Sequence, residues 1–205
     1  MADARPIETV RLEAFSDAVF AIAATLLVIE VKVPQAAAGE LLHALLDEWS
    51  SYAGYAVSFA VIGVLWVNHH ATLERVAKVD RSLLFLNLVV LAVVAFIPFP
   101  TAVLADYIDG GIANARWATI TYALVMMAAA GSFALMWLYL GRHRELLAPH
   151  CEEHAPATAI RRALAGIAAY LVTVAIAVFS PAVAVAMFAL LTVAFVFAER
   201  PAPRK

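Results

Sequence analysis

The sequence predicts an all-α polytopic membrane protein with six transmembrane helices, and three observations carry that expectation. Hydrophobic residues make up 64% of the 205 residues, with a mean hydropathy of +0.87; soluble domains are roughly 45–50% apolar. Several long stretches contain no Asp, Glu, Lys or Arg. Once six spans are drawn, the basic residues fall almost entirely on one side of the membrane. A soluble fold of this size has no means of hiding so much apolar surface, so lipid is the solvent for most of it.

A helix needs about 20 mostly apolar residues to cross a hydrocarbon core of about 30 Å. Residues 49–73, 82–105 and 117–141 are free of charge and supply one span each. Residues 163–198 form a charge-free run of 36. As one straight helix that run would be roughly 54 Å long, too long for a single span and enough for two short ones. Ser180-Pro181 lies mid-run, where a helix breaks. The expected spans are therefore about 10–33, 49–73, 82–105, 116–141, 161–179 and 181–198, in one transmembrane domain covering 1–205. A short Ala/Leu-rich surface helix is expected between Gln35 and Glu48, and a polar loop between Gly141 and Thr158.

The distribution of charge tests this plan. One side holds Arg5, Arg11, Arg75, Lys78, Arg81, Arg142, Arg144, Arg161, Arg162, Arg200, Arg204 and Lys205, and the other only Lys32 and Arg116. A 12 to 2 division satisfies the positive-inside rule with both termini cytoplasmic, in a multi-pass protein of the cell membrane. No cleavable signal peptide is expected, because the mixed-charge segment before the first span lacks a basic n-region. The outer side carries Glu30, Glu40, Asp47, Glu48, Asp106 and Asp109. Such a face concentrates cations, or it is simply a set of solvated loops. The net charge of −2 carries no indication of nucleic acid, and Cys151, the single cysteine, has no disulfide partner. No metal site is expected from the Cys and His spacing.

The first span is the odd one. Its charge-free run, Ala18 to Ile29, is only 12 residues long, with Asp17 at one end and Glu30 and Lys32 at the other. Such a helix spans only if its polar ends face protein or water. Asp17 lies about 9 Å along the helix from Arg11 and about 240° around it, so the two pair between helices or subunits rather than within one helix. Ala18, Ile22, Thr25 and Ile29 share one face, apolar except for a hydroxyl. From the residues alone that face is a packing face or a pore wall. The second span contributes Trp66-Val-Asn68-His69-His70, with Trp66, His70 and Glu74 on one face. His70 sits about 12 Å from Lys78, at a depth similar to Asp17. Arg11, Ser16, Asp17, Asn68, His69 and His70 thus form a candidate polar network. It reads as a helix clamp, a proton relay or a metal site. The adjacent histidines point about 100° apart, which argues against a shared metal.

The string Arg11-xxx-Phe15-Ser16-Asp17 on a first span, followed by Ala-Val-Phe-Ala-Ile22, resembles the signature of the endolysosomal potassium channel family (transmembrane protein one-seven-five) and its prokaryotic homologues. Trp66-xx-His69-His70 and the six-span plan are similar to the prokaryotic members. The resemblance implies a homotetramer with the first helices lining a potassium-permeable pore and no re-entrant loop; the sequence has no Thr-Val-Gly-Tyr-Gly filter. It implies a hydrophobic constriction at Ile22, a hydroxyl layer at Thr25 and further lining by Leu26 and Ile29. Arg11, Ser16 and Asp17, with His69 or His70, would hold the pore helix. No enzyme activity and no cofactor are expected. The partners implied are a second copy of the chain, membrane lipid and monovalent cations, potassium being the permeant ion, with potassium preferred modestly over sodium. The alternatives are a proton-permeable pore, a proton or cation transporter using Asp17 and the His69/His70 region, and an intramembrane enzyme built on Ser16, Asp17 and His70.

Overall fold

A computed structural model describes residues 7–198, with side-chain surroundings described from Thr9 to Phe195. Eight α-helices follow in order: α1 Ile7–Leu26, α2 Leu41–Asp47, α3 Trp49–Leu73, α4 Arg81–Phe96, α5 Pro98–Tyr107, α6 Ile112–Arg142, α7 Ala155–Phe179 and α8 Pro181–Ala198. Two 3-10 turns, Leu27–Glu30 and Arg144–Leu146, follow α1 and α6. Five stretches are long and apolar enough to cross a membrane: Thr9–Glu30, Trp49–Leu73, Arg81–Tyr107, Ile112–Arg142 and Ala155–Phe179. The apolar helix Pro181–Phe195 is shorter. The fold is that of a multi-pass helical membrane protein.

Several helix ends differ from the expected spans. The α-helix of the first span stops at Leu26, short of 33. It tightens into a 3-10 turn and is extended by Val31 (φ −79°, ψ 107°), ahead of Pro34. The third span is two helices. Pro98 lacks an N–H, so the chain closes a tighter turn from Ile97 N to Val94 O at 3.1 Å and resumes as α5. Thr101 Oγ1 donates to the Ile97 carbonyl at 2.9 Å, repairing the break inside the bundle. Helices α6 and α7 begin earlier than expected, at Ile112 and Ala155. Hydropathy marks the lipid-covered part of a helix, whereas its backbone bonds continue into water until a turn ends them. At α6 that turn is Gly111, whose φ of +89° favours glycine. The surface helix expected between 35 and 48 is α2.

The longest contact is between α6 and α7. Ala115, Ala118, Ala123, Ala129 and Ala134 are buried on α6, and small residues of this kind let helices approach closely. At the basic end a Cβ added at Gly141 would lie 3.2 Å from the Pro156 side chain, so a larger residue there would have to press Pro156 back. Helix α1 packs on α3 and α4, and α8 on α3, α6 and α7. Ser58, Thr101 and Tyr122 form a buried hydroxyl cluster: Thr101 Oγ1 lies 2.8 Å from Ser58 Oγ, which is 3.0 Å from the Tyr122 hydroxyl. It ties α3, α5 and α6 together.

The basic end is closed by an exchange between loops. Val76 bridges Leu147, with Ala77 N donating to Leu146 O and Ala148 N to Arg75 O, both at 2.8 Å. Asp80 caps α4, its Oδ1 accepting from Leu83 N at 2.8 Å and its Oδ2 from the Tyr139 hydroxyl at 2.5 Å. The Tyr139 bond and then the backbone bond hold the Asp80 carboxyl below its usual range. Its contribution is therefore complete above the ordinary carboxylate pKa and is lost as pH falls through the lowered, folded value. Asp80→Ala is expected to cost about 1 kcal/mol through the lost cap and to remove that acid sensitivity. Thermal unfolding in detergent between pH 7 and pH 3 measures both; an unchanged acid limb would contradict the assignment.

Candidate functional site

The first helix is built with two faces. Leu12, Ser16, Phe20, Ala23 and Leu27 are buried, at helical spacing, against α3 and α4. The opposite face leaves Ala18, Ile22, Thr25 and Ile29 exposed, Ile22 at 57% and Ile29 at 71%. Leu26 is exposed beside this stripe. The Thr25 hydroxyl donates to the Ile22 carbonyl at 2.9 Å. Its proton is thus committed to its own helix, and its oxygen lone pairs are left to accept or to meet a cation.

One level of the bundle carries the polar contacts. Asn87 on α4 joins α1 to α3: its Nδ2 donates to Ser16 Oγ at 3.0 Å, and its Oδ1 lies 2.7 Å from His69 Nε2. Ser16 Oγ in turn lies 2.8 Å from the Leu12 carbonyl. That carbonyl only accepts, so Ser16 must spend its proton there. Asn87 must then present its amide N–H to Ser16 and its oxygen to His69. His69 therefore donates from Nε2. The order of donors runs His69 to Asn87 to Ser16 to Leu12. His69 is fully buried and lies between the rings of Phe20 and Phe133, at centroid distances of 5.2 and 6.2 Å.

Beside this chain Asp17 Oδ1 accepts from the Trp66 indole N–H at 2.8 Å. Trp66 stacks on His70 at 5.8 Å. His70 in turn lies 3.4 Å from Glu13 and 3.7 Å from Glu74. The adjacent histidines thus do different work. His69 enters the buried network, and His70 faces a half-exposed cluster of carboxylates.

Two residues of the expected network are placed otherwise. The sequence reading puts Asn68 in it, but the buried amide is Asn87; among the described contacts Asn68 enters through its backbone carbonyl, which accepts from Thr72 Oγ1 at 2.7 Å. Asn68 is one residue from His69 and so points about 100° away from it. Arg11 is exposed, and among the described residues Asp17 takes its hydrogen bond from Trp66 rather than from Arg11. The signal for Asn87 was present: it is the one amide in the apolar run of α4, and an intramembrane polar residue marks a functional or structural site by default. Trp66 carried a weaker signal, an indole N–H that needs a partner inside the membrane.

At the acidic end Lys32 Nζ lies 2.6 Å from Asp106 Oδ1. The hydrogen bond that Lys32 donates to Asp106 raises the lysine ammonium above its ordinary range, with smaller contributions from the charges of Asp106 and Glu48. Ser50 Oγ donates to the Ala105 carbonyl at 3.1 Å, fixing this end of α5 to α3.

Fold and site together define a class: a small multi-pass helical membrane protein whose first helix is tied down on one face and bare on the other. The family model described as endosomal/lysosomal potassium channel TMEM175 matches residues 11–98. A potassium channel of Streptomyces collinus is 48% identical over 200 residues, 97% of this chain and 96% of the relative. The TMEM175 endosomal/lysosomal proton channel of Gallus gallus is 30% identical over 163 residues, 73% of this chain and 32% of that longer protein. The crystal structure of a lysosomal potassium-selective channel TMEM175 homologue from Chamaesiphon minutus superposes with a TM-score of 0.84 at 37% identity, covering 96% of this chain and 100% of that one. The chain belongs to the TMEM175 family, a family of ion channels and not of enzymes.

Proposed function

We propose that this protein is a potassium-permeable cation channel of the cell membrane, assembled as a homotetramer of six-span subunits with both termini cytoplasmic. The observation that carries the reading is the bare stripe of α1. A helix of membrane length buries Leu12, Ser16, Phe20, Ala23 and Leu27, yet leaves Ala18, Ile22, Thr25 and Ile29 exposed among the described residues of its own chain. Around a central axis these faces would line a pathway. Two relatives named potassium channels, one matching over 97% of this chain and the other over 72%, point the same way.

In this reading a ring of Ile22 side chains forms the constriction. An isoleucine ring repels water and gates by dewetting. An ion crossing it sheds part of its hydration shell. Potassium holds that shell less tightly than sodium, so the barrier favours potassium modestly. Thr25, one turn outward, offers its oxygen lone pair in place of some lost water, and Leu26 and Ile29 extend the apolar lining. The chain from Ser16 through Asn87 to His69, with the Asp17–Trp66 bond beside it, holds α1 so that its stripe faces the axis. Membrane lipid covers the outer helices, and no cofactor is needed beyond the permeant ions.

The test is flux into liposomes, comparing potassium, sodium and protons for the purified protein. Potassium uptake faster than sodium uptake is expected, dissipating with the gradient. The second reading, proton permeation, draws on the half-exposed Glu13, Asp17, His70 and Glu74 cluster at one end of α1 and α3 and on the vertebrate relatives named proton channels. Proton flux without potassium flux would favour it, and no flux of any of the three would remove both.

A further inference from the structure

The acidic end of the pore helix carries a cation where a cation pathway would least tolerate one. Lys32 follows Ile29 by three residues, a reach of at most about 10 Å. Ile29 is the outermost residue of the bare stripe. In a symmetric assembly the lysine would be repeated around the entrance in every subunit. Left free, such a ring repels incoming cations.

The fold supplies a counter-charge. Asp106, on the last turn of α5, holds the Lys32 ammonium at 2.6 Å. The post it sits on is firm. Ser50 bonds the carbonyl of Ala105, the residue before it. Thr101, one turn earlier, is bonded to Ser58 on α3. The 3-10 turn Leu27–Glu30 packs against α3 and α5, and Leu27 is fully buried. The lysine is therefore presented to α5. The pair is half exposed, with side chains at 57% and 36% of full exposure, so it adds little to stability. Its charge remains felt at the entrance, because neither group is sealed from solvent. Glu48 also faces Lys32, but one of its oxygens is engaged by Ser51 Oγ at 3.1 Å.

We propose that Asp106 is the counter-charge that keeps Lys32 from repelling cations at the outer entrance of the pathway lined by α1. This rests on the pore reading of that helix. Neither residue touches the constriction; both act on the concentration of cations that reaches it.

The experiment uses full-length protein in planar bilayers and compares wild type, Asp106→Asn, Lys32→Gln and the double variant. Potassium conductance is read at ~10 mM and ~1 M salt, where the Debye lengths are about 30 and 3 Å. At low salt Asp106→Asn is expected to lower conductance about twofold or more, because a free lysine then stands at the mouth in each subunit. Lys32→Gln is expected to raise it, because an unpaired Asp106 remains. The double variant should return close to wild type, and all four should converge at high salt. Both single variants break the same ion pair. If the pair only pins the chain, they shift conductance in the same direction at both salt concentrations. That result, or no change in either variant, overturns the proposal while leaving the pore reading intact. A wild-type protein that carries no potassium removes both.

Discussion

Ile22→Ala is expected to raise potassium and sodium flux on the order of tenfold and to bring the two rates closer together. The substitution removes three carbons from each side chain of the proposed constriction, worth about 0.8 kcal/mol apiece when fully buried. Since about 1.4 kcal/mol corresponds to a tenfold rate, relief of little more than half of one side chain's contribution reaches tenfold. Ile22→Asn should go further, since its amide keeps the constriction wet. The site makes this a clean experiment. Ile22 is 57% exposed in its own chain, so the substitution removes little intrachain packing and the melting temperature should hardly move. Stopped-flow liposome flux and bilayer ion ratios give the answer. Currents and ion ratios equal to wild type would end the pore assignment of this residue.

The second large effect concerns Asn87. Asn87→Leu keeps the branched shape, though not the volume, and strands the His69 Nε2 proton in a fully buried site. A buried donor left unsatisfied costs about 1–3 kcal/mol, toward the lower end where interhelical hydrogen bonds in bilayers are modest. His69→Phe alone leaves the Asn87 oxygen without its donor and is expected to cost a similar amount. The double variant removes both polar partners, and Phe at 69 suits a site already bounded by Phe20 and Phe133. It should be more stable than the sum of the single losses by on the order of 1–2 kcal/mol, because partners in one network do not add. Thermal melts of the four proteins in detergent measure the coupling. Strictly additive losses would mean that the Asn87–His69 bond, which ties α4 to α3, adds nothing to stability.

Much of this architecture was legible before any coordinates. Bounds for α3 and α8 follow from charge-free runs and from Ser180-Pro181, because lipid tolerates few charges and proline ends a helix. The first helix identified itself by its short apolar run between Asp17 and Glu30. Its stripe from Ala18 to Ile29 followed from the helical period. Illegible were contacts between helices. Nothing in the spacing of α1 and α3 reveals that α4 inserts Asn87 between Ser16 and His69, since that depends on which neighbour packs at that depth. The same holds for Trp66 as the partner of Asp17. Arg11 and Asp17 lie about 240° apart on one helix, so a pair between them needs a neighbouring subunit, and within one chain it is the Trp66 indole N–H that reaches Asp17.

The acidic end shows the division most plainly. Under the six-span expectation the sequence alone set Lys32 and Arg116 apart from the other twelve basic residues, since counting charges between apolar runs requires no geometry. It also determined that α1 must lie where its polar ends are shielded from lipid, because a carboxylate in hydrocarbon is too costly to leave bare. Only the tertiary structure decided which face of α1 is buried and which is free, and that Lys32 is matched to Asp106. Helical periodicity groups residues by face but cannot say what each face meets. That is set by the packing of α3, α4 and α5, whose contacts join residues far apart along the chain, 74 positions in the case of Lys32 and Asp106.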